Sequence, residues 1–256
     1  MNRWTDYRLR ERFLAVSNGL LDVIYPPRCV VCHAWMSSGA LCELCVSGFV
    51  PLTPPFCSRC GVPTTAYDPL CVPCSGGAEP SFDWSLAMGQ YAGTLREAIH
   101  HLKYNGKTAL AEPLGTRLAR SLDASPSPLL IDPSSGEPRR IDLVIPIPLH
   151  AARLRQRGFN QAELIAGYVA KERNWQLDAT NLRRVKRTRS QTALRIAERA
   201  ANIRGAFAVR DPSRLTGRSV LLVDDVVTTT ATTTEAARVL RDAGATRICV
   251  AALARG

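Results

Sequence analysis

The sequence predicts a parallel α/β domain preceded by a small metal-binding segment of paired cysteine quartets, and three observations predict it. Eight of the nine cysteines fall into four Cys-x-x-Cys pairs between positions 29 and 74. From about residue 82 onward, short apolar strands alternate with helical patterns, which is the order of a parallel sheet. Near the end, residues 220–223 and 248–253 are continuous apolar runs and read as buried strands.

The chain has 256 residues, 46% of them hydrophobic and 21% charged, the balance of a globular protein with a core and room for more than one unit. That composition excludes collagen, coiled coil and disorder. No apolar run approaches the roughly 18 residues of a membrane helix. The first thirty residues intersperse Arg3, Arg8, Arg10 and Arg12 with Asp6, Glu11 and Asp22, so they lack the uninterrupted apolar core of a secretory signal. A cytoplasmic location without membrane insertion is expected. The net charge of +11 is local: residues 151–218 hold 16 basic and 5 acidic side chains, which equals the entire excess. Such a patch implies an anionic partner, polyphosphate or nucleic acid.

In chain order, residues 1–28 read as a helix, apolar at Leu9, Phe13, Val16, Leu20 and Ile24 and ended by Pro26-Pro27. Its acids and bases balance, which disfavours a membrane-surface role. The next unit, 29–80, carries the knuckles Cys29/Cys32, Cys42/Cys45, Cys57/Cys60 and Cys71/Cys74, separated by 9, 11 and 10 residues. A two-residue spacer lets both thiolates of a knuckle face one ion, and two knuckles complete a tetrahedral zinc site. In a reducing compartment these pairs are poor structural disulfides, and a redox motif does not occur four times in succession. Two zinc ions are expected, paired sequentially or, with the same ligands, interleaved. Sulfur fills every position, so the ions are structural. His33 is read as a bystander and Cys249 as an inert core thiol.

The third unit, 81–256, begins with a strand at 86–91 and helices at 94–104 and 107–122. The Pro- and Ser-rich stretch 123–140 is an exposed loop. A strand at 141–145, a helix at 160–173, a basic stretch at 183–204, a short strand at 206–209, a strand at 219–223, a helix at 231–243 and a strand at 247–253 follow. His100 and His101, on a helix, read as surface or packing residues. No Ser, Cys or His stands in a triad-like context, so hydrolase chemistry has no support.

The densest chemical signal is VLLVDDVVTTTATTTEA at 220–236. An apolar strand leads into Asp224 and Asp225, then a hydroxyl-rich turn, then a helix start. Ligands of parallel sheets bind outside the carboxyl ends of the strands. A turn entering a helix offers amides and a positive dipole to phosphate. Carboxylates beside a phosphate cradle repel it unless they hold ribose hydroxyls or a metal ion. A sugar phosphate with a vicinal diol meets both demands. Response-regulator receivers also open with a strand and two acids, but only 31 residues follow Asp225, too few for the rest of a doubly wound sheet.

This segment resembles the phosphoribosyl-pyrophosphate (PRPP) signature of type I phosphoribosyltransferases. The whole chain is similar to the ComF (competence protein F) family, in which a double zinc ribbon precedes a phosphoribosyltransferase domain. Leu102-Lys103-Tyr104, the run from Arg157 through Gly158, Phe159, Asn160 and Gln161 to Ala162, and Arg199 with Asn202 before Gly205-Ala206-Phe207 carry the likeness further.

The resemblance implies a phosphoribosyltransferase-type fold and a Mg²⁺-dependent glycosyltransferase acting on PRPP, with an unidentified acceptor. By it, Asp224 and Asp225 would hold the ribose hydroxyls, directly or through Mg²⁺. Thr228, Thr229, Thr230, Ala231 and Thr232 would form the phosphate loop. The short loop from Pro146 to His150, Pro148 and His150 among it, would face pyrophosphate, helped by Arg153 or Arg157, and the basic segment Arg183–Arg189, which holds Lys186, Arg187 and Arg189, would with Gln191 match a mobile loop closing over it. The resemblance equally implies a second reading, a protein of DNA uptake that holds single-stranded DNA on residues 151–218 and meets other competence proteins. Thr230 stands where the family pattern has glycine. Either its dihedrals are ordinary or phosphate binding is weakened.

Overall fold

In the computed structural model of the chain, residues 26–65, 68–77, 80–124, 140–188 and 201–256 are described. The predicted N-terminal helix, most of the loop at 123–140, and Arg189, Gln191 and Arg199 lie outside these residues.

Each cysteine quartet forms a small ribbon. An antiparallel bridge, Arg28↔Trp35 in the first and Phe56↔Pro63 in the second, brackets the first knuckle. The second knuckle opens a short helix, α1 (Glu43–Ser47) or α2 (Val72–Ser75), whose N-caps are Cys42 and Cys71. The pairing is sequential: the sulfurs of Cys29, Cys32, Cys42 and Cys45 lie within 4.8 Å of one another, as do those of Cys57, Cys60, Cys71 and Cys74. Sulfur separations of 3.7 Å (Cys29 and Cys45), 3.6 Å (Cys32 and Cys42) and 3.6 Å (Cys60 and Cys71) match the edge of a tetrahedron with Zn–S bonds of about 2.3 Å, roughly 3.8 Å. All nine cysteines are free of disulfides. The quartets therefore fit two structural zinc ions. Burial raises the Cys29 and Cys57 thiols, but backbone amides pointing at each sulfur outweigh it and bring both down to about 6.

The main sheet is five-stranded and parallel. Its strands are β1 (Trp84–Gln90), β2 (Leu143–Pro146), β3 (Gln176–Leu177), β6 (Ser219–Val227) and β7 (Arg247–Arg255), in the order β1-β7-β6-β2-β3. Alternate residues of β6 and β7 face opposite cores. Leu221, Val223, Cys249 and Ala251 join α3 (Gly93–Tyr104), α4 (Ala111–Ala124) and α6 (Gln161–Arg173); Val220, Leu222, Ile248 and Val250 join α7 (Ala231–Asp242). The short helix α5 (Ala151–Arg157) follows β2, and β4 (Leu182–Arg184) pairs antiparallel with β5 (Phe207–Val209) outside the main sheet.

The ribbons straddle the free edge of β1. Cys29, Leu41 and Cys45 pack in the core with Leu95 and Ile99, whereas Cys57, Cys60 and Cys74 pack in the other with Ile248 and Val250. The segment between them crosses the edge, where Gln90 N donates to Val50 O at 2.8 Å and Thr94 Oγ1 to Cys45 O at 2.8 Å. Covering an edge in this way removes a template for unwanted pairing.

Element boundaries differ from the sequence reading in instructive places. β6 does not stop at residue 223; it continues through Asp224 and Asp225 to Val227, because β7 continues beside it to Arg255. The strand expected at 141–145 is Leu143–Pro146 and that at 86–91 is Trp84–Gln90. The helix placed at 107–122 begins with a single 3₁₀ turn, Thr108–Leu110, before α4. The sequence pattern does not reveal α5, β3 or β4; each is at most seven residues long. No described helix is long and apolar enough to cross a membrane.

Two outcomes follow for stability. Metal analysis of the purified chain finds two zinc ions, and Cys249→Ser retains both, whereas Cys60→Ser retains fewer. A β-carbon at Gly89 would stand 2.7 Å from Val50 O, so Gly89→Ala lowers unfolding free energy by about 1–3 kcal/mol in urea titration.

Candidate functional site

The site forms where the carboxyl ends of β6 and β2 meet the helices that follow them. Asp224 and Asp225 occupy the last part of β6. Asp225 is 4% exposed, its Oδ1 accepts from Val226 N at 2.9 Å, and its Oδ2 lies 2.6 Å from Lys103 Nζ. Asp224 is partly open to the cleft, and its Oδ1 accepts from Asp225 N at 2.9 Å.

Four cations surround this pair. Lys103 reaches in from α3, Arg153 and Arg157 from α5, and Arg184 from β4, and all four line one cavity of about 240 Å³ with Asp224, Asp225, Thr228 and Thr232. Desolvation pushes the Asp224 carboxyl up to about 7, although Lys103 and Arg184 pull it down. Burial pushes the Lys103 ammonium down to about 8; Asp224 opposes that shift, and Arg157 and Arg153 add to it. Burial likewise lowers Arg184 and Arg157. Without ligand, each of these charged forms is disfavoured relative to water, as at sites built to receive a counter-charge.

The turn after β6 supplies the complementary surface. Residues Thr228 to Thr233 line a small hollow beside Asp224. Thr229 Oγ1 is buried there without a hydrogen-bond partner in the described protein, so an oxyanion at this place would satisfy it. Thr230 caps α7 with φ 58° and ψ −5°, and its carbonyl accepts from Thr234 N at 2.8 Å and Thr233 Oγ1 at 2.9 Å. The first of the two alternatives for this position is thereby removed: the dihedrals are left-handed, the conformation glycine adopts freely and a β-branched residue adopts at about 1–2 kcal/mol.

The run from Arg157 to Ala162 is a positioning device. Gly158, at φ 85°, ends α5. Asn160, 7% exposed, then caps α6 by accepting from Ala162 N at 3.2 Å and ties it to the loop after β2 by donating to Ile147 O at 3.1 Å. Gln161 Oε1 accepts from Arg157 Nη1 at 2.5 Å, which fixes the guanidinium at the cavity wall. His150 caps α5, its Nδ1 accepting from Ala152 N at 3.2 Å.

A second, wider cleft of about 480 Å³ adjoins the first, sharing Arg153 and Arg184 and adding His150, Gln156, Arg187 and Thr188. The structure thus brings Asp224, Asp225, Thr228, Thr232, Arg153 and Arg157 to one cavity and His150 and Arg187 to its neighbour. Thr229, Thr230 and Ala231 form the hollow. Pro148 lines neither cleft, its neighbours Ile147 and Leu149 doing so instead, and Lys186 turns to the carbonyl of Arg204 at 3.5 Å. Arg189 lies outside the described residues.

Sequence reasoning assigns no role to Lys103, Tyr91, Tyr104 or Gln161, and reaches Arg184 only as part of the basic segment Arg183–Arg189; all five line the cavity. Leu102-Lys103-Tyr104 enters it only as a likeness. A lysine at the margin of the apolar stripe of Leu95, Ile99 and Leu102 is the readable signal for Lys103; Arg184 does not stand out among its basic neighbours.

Comparison with known proteins identifies both parts of the chain. The family described as the double zinc ribbon domain matches residues 20–75, and the phosphoribosyl transferase domain matches residues 143–256. Competence protein F of Haemophilus influenzae is 31% identical over 236 residues, covering 89% of this chain and 96% of that one. The DNA utilization protein YhgH of Shigella flexneri is 30% identical, covering 90% and 97%. Competence protein ComFC of Bacillus subtilis is 26% identical, covering 80% and 79%. With two four-cysteine ribbons ahead of a phosphoribosyltransferase-type parallel sheet, and this likeness along nearly its whole length, the chain belongs to the competence protein F family.

Proposed function

We propose that the chain binds PRPP and transfers its phosphoribosyl group to an acceptor. One observation carries this reading: two carboxylates at the end of β6 stand between a hydroxyl-rich helix entrance and four cations. A diol suits the carboxylates, a phosphate suits the turn, and a leaving polyanion suits the cations. In the transfer, the bond from C1′ to the pyrophosphate oxygen breaks as the acceptor's lone pair forms a bond to C1′, and the acceptor's proton leaves to solvent. The chain's part is to hold the ribose hydroxyls on Asp224 and Asp225 and to stabilise the departing charge with Arg153, Arg157 and Arg184. Lys103 orients Asp225 through their ion pair. Mg²⁺ bound with the substrate would be held by the same carboxylates and would supply further positive charge to pyrophosphate.

A second reading, suggested by the wider cleft and its arginines, is a protein of DNA uptake that holds single-stranded DNA there. The names of the relatives, competence and DNA utilization proteins, point the same way. The patch adjoins the proposed pyrophosphate position, so both activities fit one surface.

Melting temperature with Mg²⁺ and PRPP tests the first reading. Ligand at about 100 times Kd adds about 2.7 kcal/mol, a rise of several degrees that Asp225→Asn abolishes; no rise in the unmutated chain refutes PRPP binding. Thr230→Gly relieves the left-handed strain, raising unfolding free energy by about 0.5–1 kcal/mol and tightening PRPP binding in the same assay.

The acid at 224 makes ligand-free stability depend on pH. Its folded pKa, about 7, lies above the unfolded value of about 3.9. The favourable contribution is therefore complete below about pH 4 and lost as pH rises through 7. Asp224→Asn stabilises the free protein at pH 8 by about 1–2 kcal/mol, with the gain fading toward pH 4 in denaturant titrations.

A further inference from the structure

Arg255 ends β7 as a buried cation, 8% exposed. It forms no ion pair with a carboxylate among the described residues. Its Nε lacks a hydrogen-bond partner. Its Nη2 donates to Ser85 Oγ at 2.8 Å, and that hydroxyl donates to the carbonyl of Cys60 at 2.5 Å. Burial lowers the guanidinium pKa, and the sulfurs of Cys60 and Cys71 raise it.

A buried guanidinium without an opposite charge is strongly destabilising. Four thiolates around one Zn²⁺ carry a formal surplus of about two negative charges, which is the missing partner. The first cluster is built otherwise. The arginine beside it, Arg28, is exposed and stacks on Trp35, 3.6 Å from the ring centre.

The backbone of the same residue belongs to the site. Arg255 lies in register with Gln90 on one side and Val227 on the other. Its carbonyl accepts from Tyr91 N at 2.7 Å, and Gly256 N donates to Val227 O at 3.2 Å. Tyr91 and Thr228, which adjoin these contacts in the chain, line the cavity.

We propose that Arg255 is the built-in countercharge of the cluster on Cys57, Cys60, Cys71 and Cys74, and that through it the metal of this cluster positions the turn beginning at Thr228. The first cluster has no such role. The second ribbon is then part of the ligand-binding machinery although none of its residues lines the cavity. This coupling does not depend on which ligand the cavity takes.

Zinc competition against a chromophoric chelator, on the full chain, tests the countercharge. In Arg255→Met one of the two zinc ions is bound about tenfold more weakly and the other is unchanged; Arg255→Lys restores most of the loss. Equal weakening of both ions, or of neither, overturns the proposal. Hydrogen exchange tests the coupling even if Arg255→Met does not fold. Cys71→Ser speeds exchange of amides 227–231, while Cys42→Ser leaves them at the unmutated rate. Equal behaviour of the two cysteine variants overturns it.

Discussion

Charge held away from water is the constraint on which this structure turns. β6 runs up the middle of a parallel sheet and carries two acids beyond its apolar run, into a cleft where hydration cannot stabilise them. Each element around the cleft answers that demand. α3 contributes Lys103, α5 contributes Arg153 and Arg157, and β4 contributes Arg184. The cations are too many for two carboxylates alone, and the imbalance leaves room for a polyanion. Arg255, buried without a carboxylate among the described residues and linked through Ser85 to Cys60, raises the same demand beside the second cysteine cluster.

The two parts of the chain are therefore less separate than their compositions suggest. The ribbons add sulfur and aliphatic surface to both cores and seal the edge of β1. In a sheet of five strands among the described residues, an open β1 would leave Leu86 and its neighbours under-covered.

Features set by short-range chemistry were legible in the sequence. Cysteine spacing specified the knuckles because two thiolates two residues apart must share an ion. The acids and threonines at 224–234 announced a site because no packing requirement calls for that composition. Apolar runs located the buried strands. Long-range features were not legible: that Lys103 would meet Asp225 depends on where α3 crosses the sheet, and Arg184 reaches the cavity only because β4 pairs with β5. β6 was cut short because aspartates are poor strand formers; the neighbouring ladder of β7 overrides that preference. The backbone of Thr230 was undecidable from residue type alone, since threonine seldom takes the left-handed conformation it adopts there.

The order of strands also governs how the chain is made. β1 emerges from the ribosome early, directly after the ribbons, yet its partner in the sheet is β7, roughly 160 residues later. Until the last residues appear, one side of β1 stays open, while the ribbons have already closed the other. Metal loading thus halves the exposed edge of a strand that waits through most of synthesis, and the final nine residues of the sheet, Arg247–Arg255, act as its closing piece. Loss of β7 removes the strand that joins β1 to the rest of the sheet.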